Sequence, residues 1–401
     1  MSFYDHSYFL FKTVFMLDRS ESLAALKELY RTHRIIALLG SRQCGKTTLA
    51  KILAKTWSIN DGPITMFDLE NPESLVQLKN PVTALGPLKG LIIIDEAQRM
   101  PKLFPVLRYI HDEYPEKTFL LLGSASRDLT SSETLAGRIA YSELTPFHLG
   151  EVDDVDTLWL RGGYPRSYLA ETDRDSFDWR RHYIRSYLEQ DLNMMGIKIN
   201  PESLRRFWNV LTHYHGQIFN ANEIAQNLGI SQPTAMHYLN VLHQTFMIRV
   251  LQPWHANIKK RQVKSPKIYW RDSGLFHSFI NTATYSDLVM HPKIGASFEG
   301  FALEQVIQKL KIDTHDCYFW GAHSFGEIDL VVHQNNQLMG FEFKRNDAPT
   351  LDRRWSKIVN ELDLKQLTII YPGKTYYPLT DKIDVMGICS PQFKNLRGIS
   401  A

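Results

Sequence analysis

Residues 34–49 read RIIALLGSRQCGKTTL. A continuous apolar run enters Gly40, a short loop follows, and Gly45-Lys46-Thr47 opens a helix-forming stretch. The pattern is G-x4-G-K-T in the order strand, loop, helix, the arrangement of a phosphate-binding loop. Glycines let backbone N–H groups wrap phosphate oxygens, and a helix N-terminus adds positive potential. Gly40, Ser41, Arg42, Gln43, Cys44, Gly45, Lys46, Thr47 and Thr48 are therefore read as the wall of an ATP site. Lys46 would neutralise the β- and γ-phosphates, and Thr47 would hold Mg2+.

Working outward, GLIIIDEAQ is a second buried strand that ends in Asp95-Glu96. An acid at the C-terminal end of such a strand faces the phosphate loop in an α/β sheet. Asp95 would orient Mg2+ through water, and Glu96 would polarise the attacking water. TFLLLGSAS is a third strand, ending near Ser124, where a hydroxyl could sense the γ-phosphate. PITMFDLENP supplies another strand, and SSETLAGRIAYSELTPF a short helix and a last strand.

This order resembles the AAA+ class of ATPases, and more narrowly a prokaryotic AAA+ family whose C-terminal region is labelled a domain of unknown function. The segments that carry the resemblance are GSRQCGKTT, IIIDEAQ, LLGSAS, LAGR, LTPFHLGE, GGYP and KIYWRDSGL. The resemblance implies that Ser124 is a sensor and that Arg138 is an arginine finger reaching a neighbouring subunit. It thereby implies a homo-oligomer.

The chain has 401 residues, 44% hydrophobic and 22% charged, which suits several globular domains rather than a disordered or fibrous protein. No apolar run approaches a membrane span, and MSFYDHSYFL lacks the lysines and apolar stretch of a secretion signal. Cys44, Cys317 and Cys389 are odd in number and far apart, without metal or disulfide spacing, so a cytoplasmic location is expected. Net charge of +3 neither demands nor forbids nucleic acid.

Residues 150–200 carry acids, aromatics and arginines at helical spacing and suit a helical lid. NANEIAQNLGISQPTAMHYLNVLHQ, residues 220–244, reads as a helix-turn-helix. Asn220 and Glu223 cap one helix, Gly229 ends it, Ser231 caps the next, and Pro233 sits in its first turn. Gln232, Thr234 and His237 are polar on the second helix. Between Arg249 and Arg271 lie seven basic residues and no acid, including Lys259, Lys260, Arg261, Lys264 and Lys267. A basic wing beside a helix-turn-helix can straddle a phosphate backbone, so DNA is the expected partner. The alternative is a winged helix that only docks protein.

GEIDLVVHQNNQLMGFEFKR, residues 326–345, alternates on two strands about a polar turn. Ile328, Leu330 and Val332 would share one face, and Asp329, Glu342 and Lys344 could gather on one side of the hairpin. Upstream, Glu299 lies on a helical stripe with Leu303, Val306 and Leu310, where an acid is costly unless it is paired or metal-bound. Helix acid, strand acid, then E-x-K resembles the PD-(D/E)xK nuclease fold. That resemblance implies Mg2+ or Mn2+ held by Glu299, Asp329 and Glu342, with Lys344 catalytic.

The expected architecture is α/β multidomain. Residues 1–150 form an AAA+ P-loop core, 151–200 a helical lid, 201–285 a winged helix, and 286–401 a restriction-endonuclease-like domain. The expected activity is ATP hydrolysis coupled to the binding and processing of DNA, branched or end-containing, with a metal-dependent nuclease tail. Its rivals are an ATP-dependent clamp or remodeller that does not cut and a nucleotide-switched protein-docking protein.

Overall fold

The computed structural model describes residues 19–57, 62–124, 135–255, 262–322 and 326–397. Among these, a first sheet contains β1 (Ile35–Leu39), β2 (Ile64–Asp68), β3 (Leu91–Asp95), β4 (Thr118–Gly123) and β5 (Ile139–Glu143). All neighbours are parallel, in the order β2-β3-β4-β1-β5. Strands β1, β3 and β4 are buried along their whole length, which is why they read as unbroken apolar runs. Separate cores lie on the two faces. Helix α1 (Ser20–Leu29) and helix α2 (Lys46–Thr56) contribute Leu26, Leu49 and Leu53 to one, while α3 (Leu103–Glu113) contributes Leu103, Leu107 and Ile110 to the other. The carboxyl ends of β1, β3 and β4 meet at one edge, where open parallel sheets bind ligands.

The chain continues through α4 (Val155–Arg161) and α5 (Asp173–Ser186), which runs into a π-helical turn at Tyr187–Asp191. Next come α6 (Pro201–His213), β6 (Gln217–Ile218), α7 (Ala221–Leu228), α8 (Gln232–Gln244), β7 (Ile248–Pro253) and β8 (Lys267–Trp270). Asn220 and Ser231 cap α7 and α8 with their side chains, and left-handed Gly229 separates the two helices. Strand β8 pairs antiparallel with both β6 and β7. The helical segment expected as a separate lid shares one core with this unit: Tyr183, Tyr187 and Leu188 pack with Trp208, Leu239 and Trp270. The cause is an aromatic face. Tyr187 lies 5.2 Å from Trp208, and Trp208 stacks on Trp270 at 5.2 Å and 7°.

After α9 (Ser273–Phe279) and α10 (Ile294–Leu310), the tail runs β9 (Cys317–Ala322), β10 (Gly326–Gln334), β11 (Gln337–Phe343), α11 (Arg353–Leu362) and β12 (Leu364–Tyr371). Strands β13 (Tyr376–Thr380) and β14 (Ile383–Gly387) finish the sheet. β10 and β11 form the hairpin, with Gln334 opposite Gln337 across the two-residue turn Asn335-Asn336. Both asparagines take φ near +50°, a conformation this side chain tolerates. β11 pairs parallel with β12 after the α11 crossover. Two residues of β7 pair with β9, so a single sheet runs β13-β14-β12-β11-β10-β9-β7-β8-β6. The expected alternation fails at one point. A register shift against β9 between Ile328 and Val331 sends Ile328 into the core with Trp355 and Ile358, while Leu330 and Val332 join Phe298 and Leu303 on the other face.

A buried polar chain ties these segments together. Trp159 Nε1 donates to Ser297 Oγ (2.9 Å), Ser297 Oγ to His277 Nε2 (2.7 Å), and His277 Nδ1 to the Leu160 carbonyl (2.9 Å). The Ser297–His277 bond requires neutral imidazole, because a protonated Nε2 could no longer accept. Burial pushes the His277 pKa down to about 3. The folded value lies below the unfolded one, so this stability is present above about pH 6.5 and is lost as pH falls toward 3. We expect acidification to about pH 5 to cost on the order of 2 kcal/mol through this residue. His277→Gln should flatten the fall of Tm with pH across that window. An unchanged slope contradicts the assignment.

Candidate functional site

The phosphate loop leaves β1 at Leu39 and enters α2 at Lys46. Gly45 has φ +109°, which a side chain would strain. Lys46 is 5% exposed, and its Nζ donates to the carbonyls of Gly40 and Ser41, each at 2.9 Å. Thr47 Oγ1 donates to Asp95 Oδ2 at 2.6 Å, so the two groups expected around Mg2+ already touch. Burial raises the Asp95 pKa. Cys44 is buried with its Sγ on the Leu144 carbonyl, Gln43 takes positive φ, and Thr48 sits in the first turn of α2. This donor set fits a magnesium nucleotide. Lys46 and the loop N–H groups would hold phosphate, and Thr47 with Asp95 would hold the metal.

Glu96 follows β3 in a left-handed conformation, φ 52° and ψ 44°. Such strain in a non-glycine residue accompanies functional positions. Ser124 Oγ donates to the Glu96 carboxylate at 3.0 Å, and Gln98 Nε2 donates to its other oxygen. Arg138 lies elsewhere. β5 runs from Ile139, opposite Ile35, to Glu143, opposite Leu39, so Arg138 stands at the far end of the sheet, about 16 Å from the loop of its own chain. There it pairs with Asp112 at 2.7 Å.

Several residues that the motif reading passed over hold the loop. Arg19 donates to the Cys44 carbonyl (3.0 Å), the Thr145 carbonyl (2.8 Å) and Glu151 (2.9 Å). Tyr183 OH donates to the Arg42 carbonyl at 3.1 Å and contacts Tyr164 OH at 3.2 Å. The Arg42 guanidinium joins Asp191, in the π-helical turn, at 2.8 Å and Glu70 at 2.7 Å. The sequence segments GGYP and RDSGL meet behind this contact. Gly163 N donates to Asp272 Oδ2 at 2.8 Å, and a Cβ on Gly162 would lie 2.2 Å from Asp272 Oδ1. Spacing alone gives no sign of Arg19, Tyr183 or Asp191.

On α8, Gln232 and His237 are exposed and Thr234 is half-buried against Ser231. Lys264 is exposed, and Lys259, Lys260 and Arg261 lie outside the described residues. The basic run is not one surface. Arg249 is buried on Glu304 (2.9 Å), Arg271 pairs with Glu143 and Glu304, and Lys267 is buried among acids of the tail. A buried cation needs a partner, and α10 and β10 supply it.

The tail acids do not form the expected metal centre. Lys267 Nζ lies 3.1 Å from Asp329 Oδ1, 3.1 Å from Glu327 Oε1 and 3.8 Å from Glu299 Oε1. Tyr269 OH donates to Glu299 at 2.7 Å, and Lys344 pairs with Glu342 at 2.6 Å. Asp329 Oδ2 accepts from the Phe343 amide at 3.2 Å. Burial, and then the Asp329 charge, push Glu299 and Glu342 up to about 8. Burial opposes the Lys267 ammonium, but Tyr269 and the carboxylates around it outweigh that and hold its pKa well above the usual lysine value. Among the described residues no group of three or more His, Cys, Asp or Glu is arranged to hold a metal ion. Glu299, Asp329 and Glu342 therefore do not fit a divalent ion here, because lysines occupy the space between them. A lysine inside the apolar run KIYW was the available sequence signal, since a charge there must be answered.

For the nucleotide site, Glu96→Gln should leave ATP affinity near wild type and slow hydrolysis about 100-fold or more. Lys46→Ala should lose ATP binding itself. Equilibrium binding and phosphate release distinguish them, and wild-type turnover in Glu96→Gln contradicts the role.

Residues 32–153 match an AAA domain, residues 152–286 a domain of unknown function (DUF8612), and residues 294–390 a second domain of unknown function (DUF4143). The middle match joins the helical segment to the α6–β8 unit, as their shared core does. No helix among the described residues is long and apolar enough to cross a membrane. A Walker-type ATPase of Pyrococcus abyssi is similar at 17% identity and TM-score 0.41, over 66% of this chain and 96% of that one. The uncharacterized protein Rv2008c of Mycobacterium tuberculosis and the uncharacterized protein Mb2031c of Mycobacterium bovis are each 42% identical over 374 residues, 92% of this chain and 83% of theirs. The chain belongs to the family of these mycobacterial proteins, with an AAA-type ATPase domain at its head and two domains of unknown function behind it.

Proposed function

We propose that the protein is an ATPase that couples nucleotide state to DNA binding by a winged helix, with a tail that clamps rather than cuts. The observation that carries this reading is the contact of Tyr183 and Asp191 with Arg42 in the phosphate loop. From there Tyr187 OH reaches Thr245 at 2.5 Å, at the end of α8. A change in the loop thus has a packed route to the helix proposed to read DNA. Magnesium would supply charge neutralisation on the phosphates. This chain's Lys46 would hold them, Glu96 would orient water and take its proton, and Ser124 would fix the Glu96 carboxylate before ATP arrives.

The order three helices with β6, β7 and β8, and the exposure of Gln232, His237 and Lys264, support the winged-helix assignment and a DNA ligand. In the same reading, Lys259, Lys260 and Arg261 extend the contact, branched or end-containing DNA is the substrate class, and Arg138 serves a neighbouring subunit of a homo-oligomer as arginine finger. The succession α10-β9-β10-β11-α11-β12 supports kinship of the tail with nuclease folds. Its lysine-filled acids favour a clamp over a cutter. The protein-docking alternative is favoured by one fact: Arg249, Lys267 and Arg271 are engaged inside the molecule.

Salt dependence decides between them. Changing Lys259, Lys260, Arg261 and Lys264 together to Ala should weaken DNA binding across sequences and flatten the slope of log affinity against log salt by about three to four units. ATP affinity should be unchanged. An unaltered slope assigns the unit to protein docking.

A further inference from the structure

The acidic cluster of the tail draws its cation from another part of the chain. Glu299 comes from α10 and Glu327 and Asp329 from β10, while Lys267 comes from β8, on the far side of β7 and β9 in the shared sheet. Lys267 is 2% exposed, and its side chain crosses the face of Phe319 at 5.7 Å to reach the acids. A buried ammonium with this reach has no water to solvate it, so its stability depends on the carboxylates, and theirs on it. The second lysine, Lys344, answers Glu342 at 2.6 Å. A divalent ion bound to these carboxylates would need the space that Lys267 Nζ takes up, 3.1 Å from two of them. Ammonium and metal exclude each other by volume and by charge.

We propose that Lys267 is the resident cation of this cluster: its ammonium stands where a divalent metal would sit, pins the β8 strand to the tail, and keeps the tail free of metal. The proposal deepens the non-cutting reading of the tail and rests on it, but its test reads metal occupancy rather than DNA binding or cleavage, so either can fail alone.

The experiment is a Mn2+ titration of the full chain without nucleotide, in a Thr47→Ala background that silences the phosphate-loop metal position, followed by calorimetry and by the spin resonance of free Mn2+. With Lys267 intact, no site of submillimolar affinity is expected. Lys267→Ala opens the space and should gain about one ion per chain, weakened at least about tenfold by adding Asp329→Asn. Mn2+ bound by the chain that retains Lys267, and lost on Asp329→Asn, overturns the proposal. So does a folded Lys267→Ala chain that binds none. If Lys267→Ala fails to fold, Lys267→Met keeps the bulk and removes the charge. It should lower Tm, and adding Asp329→Asn should recover part of that loss. A Lys267→Met chain with wild-type Tm overturns the counter-ion role.

Discussion

Arg42 stands inside the phosphate loop and is held from outside it. Its carbonyl accepts from Tyr183, and its guanidinium is shared by Asp191 and Glu70. Nothing in the loop motif demands an arginine there. Its place makes the geometry of the nucleotide site depend on a helix that shares its core with α6, α7 and α8. The π-helical turn sets the phase of this contact. One extra residue in the turn brings Asp191 round to the loop while Tyr187 still faces Trp208. Burial raises the Asp191 pKa, a cost that is sustained because Arg42 answers the charge.

The same principle organises the rest of the molecule. Arg249, Lys267 and Arg271 flank or lie in the strands of the α6–β8 unit, and each ends on an acid of another segment: Glu304, Asp329 and Glu143. Such pairs contribute little net stability once desolvation is counted, but breaking one leaves a bare buried charge. They therefore fix arrangement more than they add stability. The continuous sheet from β6 to β13 and the Trp159–Ser297–His277 chain act in the same sense.

The parallel sheet, the phosphate loop and the helix-turn-helix were legible because each rests on local chemistry: unbroken apolar strands, glycine at positive φ, capping residues at fixed spacing. The hairpin was legible as well, down to its turn, although the shift near Asp329 was not, since a bulge is set by the neighbouring strand. The basic run is not one surface, because charge clustering in sequence says nothing of direction. Three of its members point inward to acids that lie between 32 and 128 residues away in the sequence. The same limit applies to the acids of the tail. Glu299, Asp329 and Glu342 do converge on one region, as expected, but the cation that meets two of them comes from a strand assigned to another domain.

The central claim is that nucleotide state reaches the α6–β8 unit through Arg42. The direct measurement is DNA affinity at fixed salt in the presence of ADP and of ATP, using Glu96→Gln to hold ATP, with and without Asp191→Ala. The account predicts affinities that differ by about tenfold between the two nucleotides, and a difference that collapses in Asp191→Ala while ATP binding persists. Equal DNA affinity in both nucleotide states, or a difference untouched by Asp191→Ala, contradicts it.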